Sequence, residues 1–332
     1  MTAPAPAGAR GIELADAAVA GDRRALARLL TEVENRTPVA EAALRRLYPR
    51  AGRAHLVGIT GPPGSGKSTL VAALVGLVRS AGRAVAVVAV DPSSPITGGA
   101  LLGDRVRMQA YAGDSDVFIR SMAARGHAGG LAATSTTAAT VLDAAGFDLI
   151  LLETVGTGQS EVEVAAAADT TVVLEAPEMG DEVQAIKAGL LEVADLVVVN
   201  KGDRPGALRT AAQLRAMLVG SSGRVAGAPT DGRPRPKRPE VLVTTAATGA
   251  GVAELLAALD AHRAKDGSGA PPSARLARAE AQVWSIVAER LRADLHDARH
   301  ASDTDAVLAE VAEHRLDPYA AADRLLASLE AE

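Results

Sequence analysis

The sequence predicts an α/β fold in which a mostly parallel β-sheet is covered by helices on both faces. Short, nearly all-apolar runs recur along the middle of the chain, and helical stretches separate them. The first of these runs leads through a glycine-rich turn into an apolar helix. Strands of a parallel sheet read as continuous apolar runs because helices bury both of their faces, so this pattern predicts the parallel arrangement.

Six strands are predicted, with helices before, between and after them. Residues 12–49 carry two apolar stripes at helical spacing, with Gly21-Asp22 between them as a stop and restart. After the last strand, a Gly- and Pro-rich break at 265–273 precedes two helical segments, the second starting near Asp317-Pro318. The predicted strands are HLVGIT (55–60), AVAVVAV (84–90), DLILLE (148–153), TTVVLEA (170–176), DLVVVN (195–200) and EVLVTTA (240–246).

These segments divide the chain into three predicted domains. Residues 1–50 form an N-terminal helical extension, residues 51–264 the α/β domain, and residues 265–332 a C-terminal helical region. The basic stretch at 220–239 is interpreted as a solvated surface loop. The C-terminal helices could pack back on their own domain or pair with a second copy. The length of the break and the two apolar stripes that follow it favour a second copy.

Composition excludes several classes of chemistry. The 332 residues include no cysteine, which rules out disulfides, thiolate metal sites and cysteine nucleophiles. A net charge of −5 argues against nucleic acid or an anionic membrane as a partner, because both reward a basic face. The N-terminus lacks the apolar core of a signal peptide, and no apolar run reaches the roughly 18 residues that span a bilayer. The sequence therefore predicts a cytoplasmic protein.

A phosphate-binding motif follows the first predicted strand. It matches G-x-x-x-x-G-K-[ST] and opens a helix, which predicts a P-loop NTPase. Its glycines let backbone N–H groups face the phosphates, and the helix N-terminus adds a favourable dipole. Lys67 is predicted to bridge the β- and γ-phosphates and Ser68 to ligate magnesium. The predicted contacts are Gly61, Pro62, Pro63, Gly64, Ser65, Gly66, Lys67, Ser68 and Thr69.

A second motif indicates which base the nucleotide carries. Asn200, Lys201 and Asp203 follow a later strand in the N-K-x-D pattern of GTPases. An aspartate there can accept hydrogen bonds from guanine N1–H and from the exocyclic amine, which adenine cannot supply, so the motif favours GTP over ATP. The next strand ends in a segment that either closes over the base or is a plain strand end, namely Thr245, Ala246 and Ala247.

Three carboxylates lie where a metal and a water molecule would bind. Asp91 ends the second strand, Asp104 lies in the following loop, and Glu153 ends the strand DLILLE. Ligands of doubly wound sheets bind at the carboxyl ends of strands, although solvated strand ends and loops also carry acidic residues. Gly156 can present its N–H to a γ-phosphate. In-line attack of water on that phosphate is the predicted reaction, assisted by Lys67, Asp104, Glu153 and Gly156.

The use of lysine gives one more indication. The chain has 30 arginines but only five lysines, of which Lys67 and Lys201 belong to nucleotide motifs and Lys237 and Lys265 to linkers. Lys187 remains, in the segment GDEVQAIKAG. A compact ammonium differs from a planar guanidinium, so Lys187 is a candidate for a mobile switch near the γ-phosphate, although an ordinary exposed helix lysine would explain it equally well.

Further segments are distinctive beyond these motifs: GITGPPGSGKSTL, VAVDPSSPITGGALLGDRVRM, RSMAARGHAGGLA, LLETVGTGQSE, GDEVQAIKAGLLEVADLVVVNKGD and VAGDRRALARLLTEVENRTP. Together they resemble the MeaB/ArgK/MMAA family from about residue 12 to the C-terminus. Members of that family are GTPases that accompany adenosylcobalamin-dependent acyl-CoA mutases such as methylmalonyl-CoA mutase. DPSSP, ARGHxGGLA and ETVGxGQSE are specific to this group in a way that the P-loop is not.

The resemblance implies a fold with an N-terminal helical extension, a central G domain and a C-terminal helical arm that forms a homodimer. It implies a G-protein chaperone that gates cofactor loading into the mutase and protects or reactivates that enzyme. It places Ser68 on magnesium, with carboxylates around the metal and its waters, namely Asp91, Asp104 and Glu153. The segment 180–187 resembles the family's third switch, whose candidate working residues are Asp181, Gln184 and Lys187.

The chain departs from the family pattern at several positions. The family tends to have Pro-Gly before its Gly-Asp-Glu, where this chain has Pro177-Glu178-Met179-Gly180. Gly202 replaces a more usual alanine, a change that looks harmless in the sequence. Thr245-Ala246-Ala247 stands where Ser-Ala-Leu is usual. These departures leave nucleotide binding expected and the identity of the mutase open.

Two other functions stay open. A kinase serving transport of basic amino acids is an older interpretation attached to the ArgK name, but it would normally use ATP, against which the N-K-x-D motif argues. A nickel metallochaperone GTPase would carry clusters of His or Cys, whereas only His296 and His300 are spaced i, i+4 here, and a solvated pair explains them. The residue that assists hydrolysis is also open among Arg105, Arg107 and Arg125.

Overall fold

The structure is a computed structural model of the chain. The chain divides into two compact units, Met1–Arg275 and Leu276–Glu332. The predicted division into three domains, at residues 50 and 264, stays a prediction. The structure describes residues 6–92, 111, 113–124, 130–154, 167–177, 191, 193–222, 239–265, 272–297 and 299–330.

A parallel β-sheet forms the centre of the first unit. Its described strands are β1 (His55–Thr60), β2 (Val85–Pro92), β3 (Val117–Ala124), β4 (Leu149–Thr154), β5 (Thr170–Glu175), β6 (Leu196–Val199) and β7 (Glu240–Val243). Their order in the sheet is β3-β2-β4-β1-β5-β6-β7, and every neighbouring pair is parallel. The predicted α/β class is confirmed, and β1 lies in the middle with β4 and β5 beside it.

The sequence missed one strand and overextended another. β3 was not predicted because Arg120 and Ser121 interrupt its apolar run. Arg120 lies at the sheet edge, where its guanidinium donates to the Ala27 carbonyl at 3.2 Å and to the Glu34 carboxylate at 2.9 Å. The last predicted strand, 240–246, ends at Val243 because the following backbone turns back on itself to form a loop.

Three helices precede the sheet, one more than the two predicted stripes indicate. They are α1 (Ala7–Val19), α2 (Arg23–Glu34) and α3 (Pro38–Leu47). The restart at Gly21-Asp22 is confirmed, since the Asp22 carboxylate accepts from the N–H groups of Arg24 and Ala25 and so caps α2. The Thr37 hydroxyl caps α3 by accepting from the Ala40 N–H, and Pro38 is the first residue of that helix. These two residues mark the start of α3 as a helix separate from α2.

Both faces of the sheet are buried, as its apolar strands require. On one face, α4 (Lys67–Ser80) and α7 (Val252–Lys265) share a core with Val172 and Leu174 of β5. On the other face, α6 (Ala207–Ser222) shares a core with Val173, the β5 residue between Val172 and Leu174. The N-terminal helices and α5 (Gly130–Ala144) share a further core with β2 and β4, so the helical extension is packed into the first unit.

A chain of polar side chains crosses the N-terminal edge of the sheet, under β1 and β5. His55 Nε2 lies 2.7 Å from Thr170 Oγ1, which lies 2.9 Å from His262 Nδ1 of α7. His262 Nε2 in turn lies 3.5 Å from Asp195 Oδ1. His55 is only 2% exposed, and burial lowers its pKa from 6.5 to about 4, although the charge of Asp169 opposes part of that shift.

We expect this lowered pKa to make folding stability sensitive to mild acid. Between pH 6.5 and 4 the unfolded chain binds a proton at His55 that the folded chain does not bind, so stability falls as the pH falls through that range. The expected loss is about 3 kcal/mol between pH 7.5 and 4. Urea unfolding at a series of pH values measures it.

The variant His55→Leu should lose this dependence, because the residue that must be charged in the unfolded chain is gone. His296→Leu, at an exposed position in the second unit, should keep the wild-type profile. Parallel loss of stability in the wild type and in His55→Leu would contradict the assignment to His55.

The second unit consists of helices. α8 (Pro272–Leu295) leads into it, and α9 (Ala301–Ala312) and α10 (Pro318–Glu330) follow. α9 was not predicted, whereas the start of α10 is confirmed, because the Asp317 carboxylate accepts from the N–H groups of Tyr319 and Ala320. The Thr304 hydroxyl donates to the Leu295 carbonyl at 2.8 Å and closes the end of α8. Among all helices described, none is long and apolar enough to cross a lipid bilayer.

Candidate nucleotide site

The predicted nucleotide residues gather at the carboxyl edge of the sheet. β1 runs into the phosphate loop (residues 61–66) and then α4, while β6 runs into the N-K-x-D loop (residues 200–203). Glu153 lies near the end of β4, and the closing loop (residues 244–251) follows β7. Because all these strands are parallel, their carboxyl ends meet at one edge, which is where such sheets bind ligands.

The phosphate loop ends on the N-terminus of α4. Gly66 stands before the first residue of the helix with a φ of 93°, in the left-handed region that side chains rarely adopt. Lys67 is buried, and its ammonium donates to the carbonyls of Gly61 at 2.7 Å and Pro62 at 3.2 Å. A lysine held over a loop at a helix N-terminus concentrates positive charge where phosphate would bind.

Ser68 and Glu153 lie together beside this loop. The Ser68 hydroxyl donates to Glu153 Oε1 at 2.6 Å, and the Glu153 side chain is buried. The hydroxyl oxygen of a serine from α4 and a carboxylate oxygen from β4 are therefore close enough to bind the same ligand. Within the described part of the chain, no group of three or more His, Asp or Glu residues could hold a metal by itself.

A buried amide joins the phosphate loop to the N-K-x-D loop. The Asn200 side chain donates to the Ser65 carbonyl at 2.9 Å. Its oxygen accepts from the Thr244 hydroxyl at 3.1 Å and from the Ala246 N–H at 3.0 Å. All of its polar atoms are thus used, so Asn200 fixes three segments relative to each other.

Lys201 and Asp203 extend from this junction. Lys201 has a φ of 55°, and its ammonium donates to the Gly64 carbonyl at 2.6 Å, a second link to the phosphate loop. The Gly202 N–H donates to the Thr244 carbonyl at 2.8 Å. Asp203 is exposed, so its carboxylate is accessible to a ligand.

The closing loop is held by its own backbone. The Thr245 N–H donates to the Ala250 carbonyl at 2.8 Å, and the Thr248 N–H donates back to the Thr245 carbonyl at 3.0 Å. Ala246 is buried with its N–H on Asn200, whereas Ala247 is exposed. Of the three predicted residues, Ala246 donates a hydrogen bond to the N-K-x-D loop.

The structure brings some predicted residues together and adds one. Thr244, which the sequence analysis did not single out, contacts Asn200 through a buried hydroxyl. The sequence signal was its place directly after the strand EVLV and before the predicted Thr245. Several predicted residues lie outside the described residues: Asp104, Gly156, Asp181, Gln184 and Lys187, together with the side chain of Asp91.

Comparison with known proteins matches this arrangement. Residues 26–300 match the family described as methylmalonyl Co-A mutase-associated GTPase MeaB. A Pyrococcus abyssi protein whose name carries the word GTPase is 44% identical over 315 residues, 95% of each chain. The mouse methylmalonic aciduria type A homolog, mitochondrial, is 40% identical over 199 residues, 56% of this chain and 48% of that protein. The crystal structure of an LAO/AO transport system kinase covers 99% of this chain and 100% of its own, with 26% identity and a TM-score of 0.63.

These similarities confirm the predicted P-loop fold and the predicted GTP hydrolysis. The identity to the P. abyssi relative extends over nearly the whole chain, well beyond the phosphate loop that many nucleotide-binding proteins share. The motifs quoted from the sequence lie within or beside the matched range of 26–300. The chain belongs to the methylmalonyl Co-A mutase-associated GTPase family MeaB.

Proposed function

We propose that this GTPase is a magnesium-dependent G-protein chaperone for an adenosylcobalamin-dependent acyl-CoA mutase. In this role it would gate cofactor loading and protect the mutase. The observation that carries the proposal is the Asn200 junction, which ties the phosphate loop to the N-K-x-D loop in a chain of the MeaB family. The family's description and the name of the mouse relative supply the link to methylmalonyl-CoA metabolism.

The residues at the carboxyl edge suit guanine nucleotide hydrolysis. Lys67 and the N-terminus of α4 would neutralise charge on the β- and γ-phosphates, and Asp203 would accept hydrogen bonds from the guanine edge. Asp91, Asp104, Gly156 and Lys187 are proposed to complete the hydrolytic site, as the sequence analysis predicts. Attack of water in line with the leaving group is then the proposed step, with Glu153 orienting the water.

Ser68 and Glu153 fit a magnesium site. Magnesium is usually held by one or two protein oxygens together with substrate phosphates and waters, rather than by a complete cage of side chains. Two oxygen donors 2.6 Å apart beside the phosphate loop meet that requirement. When bound, magnesium supplies positive charge to the phosphate oxygens. The Ser68 hydroxyl would release its bond to Glu153 and turn its oxygen toward the metal.

Partner control is proposed at the switch, and a second copy at the C-terminal helices. Asp181, Gln184 and Lys187 are the proposed switch residues. Large apolar side chains of α8 are exposed, including Trp284 at 63%, which supports a homodimer formed through these helices. Among the α8 side chains that the structure describes, the other large apolar ones that are exposed are Leu276, Val283, Ile286, Val287 and Leu291.

The test is GTP hydrolysis by the purified chain, alone and with a panel of adenosylcobalamin-dependent acyl-CoA mutases, with ATP as the control. We expect slow intrinsic GTP turnover and an increase of about tenfold or more with one mutase, because partners of P-loop GTPases complete the hydrolytic site. Light scattering on the same sample should give the mass of a dimer.

The outcomes separate the parts of the proposal. Stimulation by one mutase supports the chaperone role and identifies the acyl-CoA concerned. Preference for GTP without stimulation by any mutase would contradict the proposed mutase partner but would agree with the GTPase activity. Equal use of ATP and GTP would contradict guanine recognition by Asp203 and would favour the alternative function, a kinase.

A further inference from the structure

Gly202 lies against the end of β7 with no room for a side chain. A β-carbon at this position would lie 2.9 Å from Val243 Cγ1, 3.1 Å from Thr245 Oγ1 and 3.2 Å from the Thr244 carbonyl oxygen. The Gly202 N–H already donates to that carbonyl at 2.8 Å. The backbone of the N-K-x-D loop at Gly202 therefore lies directly against the side chains of Val243 and Thr245 and the backbone of Thr244.

The neighbours of Gly202 have little freedom to move away. Val243 is β-branched, so its side chain is stiff about the first torsion, and it packs on the core beneath α6. Thr244 is buried and bonded to Asn200. An alanine at 202, which looks harmless in the sequence, would therefore have to displace the loop itself.

Displacement would affect Asp203 more than Asn200. The Asn200 side chain is held by hydrogen bonds to Ser65, Thr244 and Ala246, and its backbone N–H donates to the Glu175 carbonyl at 2.8 Å. Asp203 is the exposed residue on the other side of Gly202. We therefore expect a displacement of the backbone at Gly202 to move Asp203 rather than Asn200.

We infer that Gly202 is a positioning residue for base selection, because the close packing that it permits against Val243 and Thr245 sets where the Asp203 carboxylate meets the base. The inference rests on the proposed recognition of guanine by Asp203.

The experiment measures dissociation constants for GDP and for inosine diphosphate, which lacks the exocyclic amine. Gly202→Ala should weaken GDP binding about tenfold, a size typical of overpacking. The preference for GDP over inosine diphosphate should also fall. Adding Val243→Ala to Gly202→Ala should restore both values, because it removes the nearest obstructing atom. Val243→Ala alone completes the cycle, and Gly8→Ala, with open space around it, should change neither value.

Each outcome decides the inference. Restoration of GDP preference by Val243→Ala supports it. A lower melting temperature of Gly202→Ala with an unchanged preference for GDP would show a structural role only and overturn it. Asp203→Asn, measured in the same assay, separates the proposed guanine recognition by Asp203 from the inferred positioning role of Gly202. If Asp203→Asn lowers the preference and Gly202→Ala does not, the inference alone fails. If Asp203→Asn has no effect, the proposed guanine recognition fails and the inference with it.

Discussion

Replacing Asp203 with asparagine is expected to lower GDP affinity by about 1000-fold and to make xanthosine diphosphate the better ligand. The aspartate can accept from both guanine N1–H and the exocyclic amine, and each hydrogen bond to a charged group contributes about 2 kcal/mol. Asparagine offers one acceptor and turns an N–H group toward the guanine amine, so two donors face each other. The 2-oxo group of xanthine accepts from that N–H group instead.

Competition between the two diphosphates for a fluorescent nucleotide measures this change. Asp16→Asn is the matched control, because Asp16 is a surface aspartate paired with Arg46 in the N-terminal helices and should leave both affinities unchanged. An Asp203→Asn variant that still prefers GDP would show that another group reads the base.

A second large effect is expected for Gly66→Ala, about a 1000-fold loss of GDP affinity. Gly66 has a φ of 93°, and a β-carbon there would lie 2.4 Å from Asn200 Nδ2. The left-handed conformation costs about 1–2 kcal/mol for alanine, and overpacking costs about 1–3 kcal/mol more. The free protein would relieve this strain by moving the phosphate loop, so restoring the geometry that binds GDP costs the same energy and lowers the affinity. Because Asn200 joins the two loops, one substitution disturbs the phosphate site and the base site together.

Gly21→Ala separates backbone strain from the contact with Asn200. Gly21 has nearly the same φ, 92°, but no neighbouring atom within 4 Å of a β-carbon. It should lower the melting temperature slightly and leave GDP affinity unchanged, as calorimetry on both variants can show. Equal GDP binding by Gly66→Ala and the wild type would mean that the Asn200 junction is not needed for the site.

Much of the fold follows from local pattern. Of the six predicted strands, β4, β5 and β6 are buried along their whole length, so their apolar runs mark them directly. In TTVVLEA, for example, β5 sends Val172 and Val173 to different cores. β3 was not predicted because it lies at the sheet edge, where its Arg120 forms hydrogen bonds with α2. A strand that contacts a helix through a charged side chain has no continuous apolar run. Asp22 and Asp317 show the local rule working, since a capping carboxylate needs only its own next few residues.

By itself, the sequence determined the class of the protein and the residues of its phosphate and base motifs, because glycine-rich turns and strand ends are local features of the chain. Only the tertiary structure decided how those motifs are joined. Thr244 and Ala246 meet Asn200 after more than 40 residues of intervening chain, and Gly202 meets Val243 across the same gap. Hydrogen bonds and excluded volume act between atoms that are close in space, and closeness across two strands is set by sheet order and register.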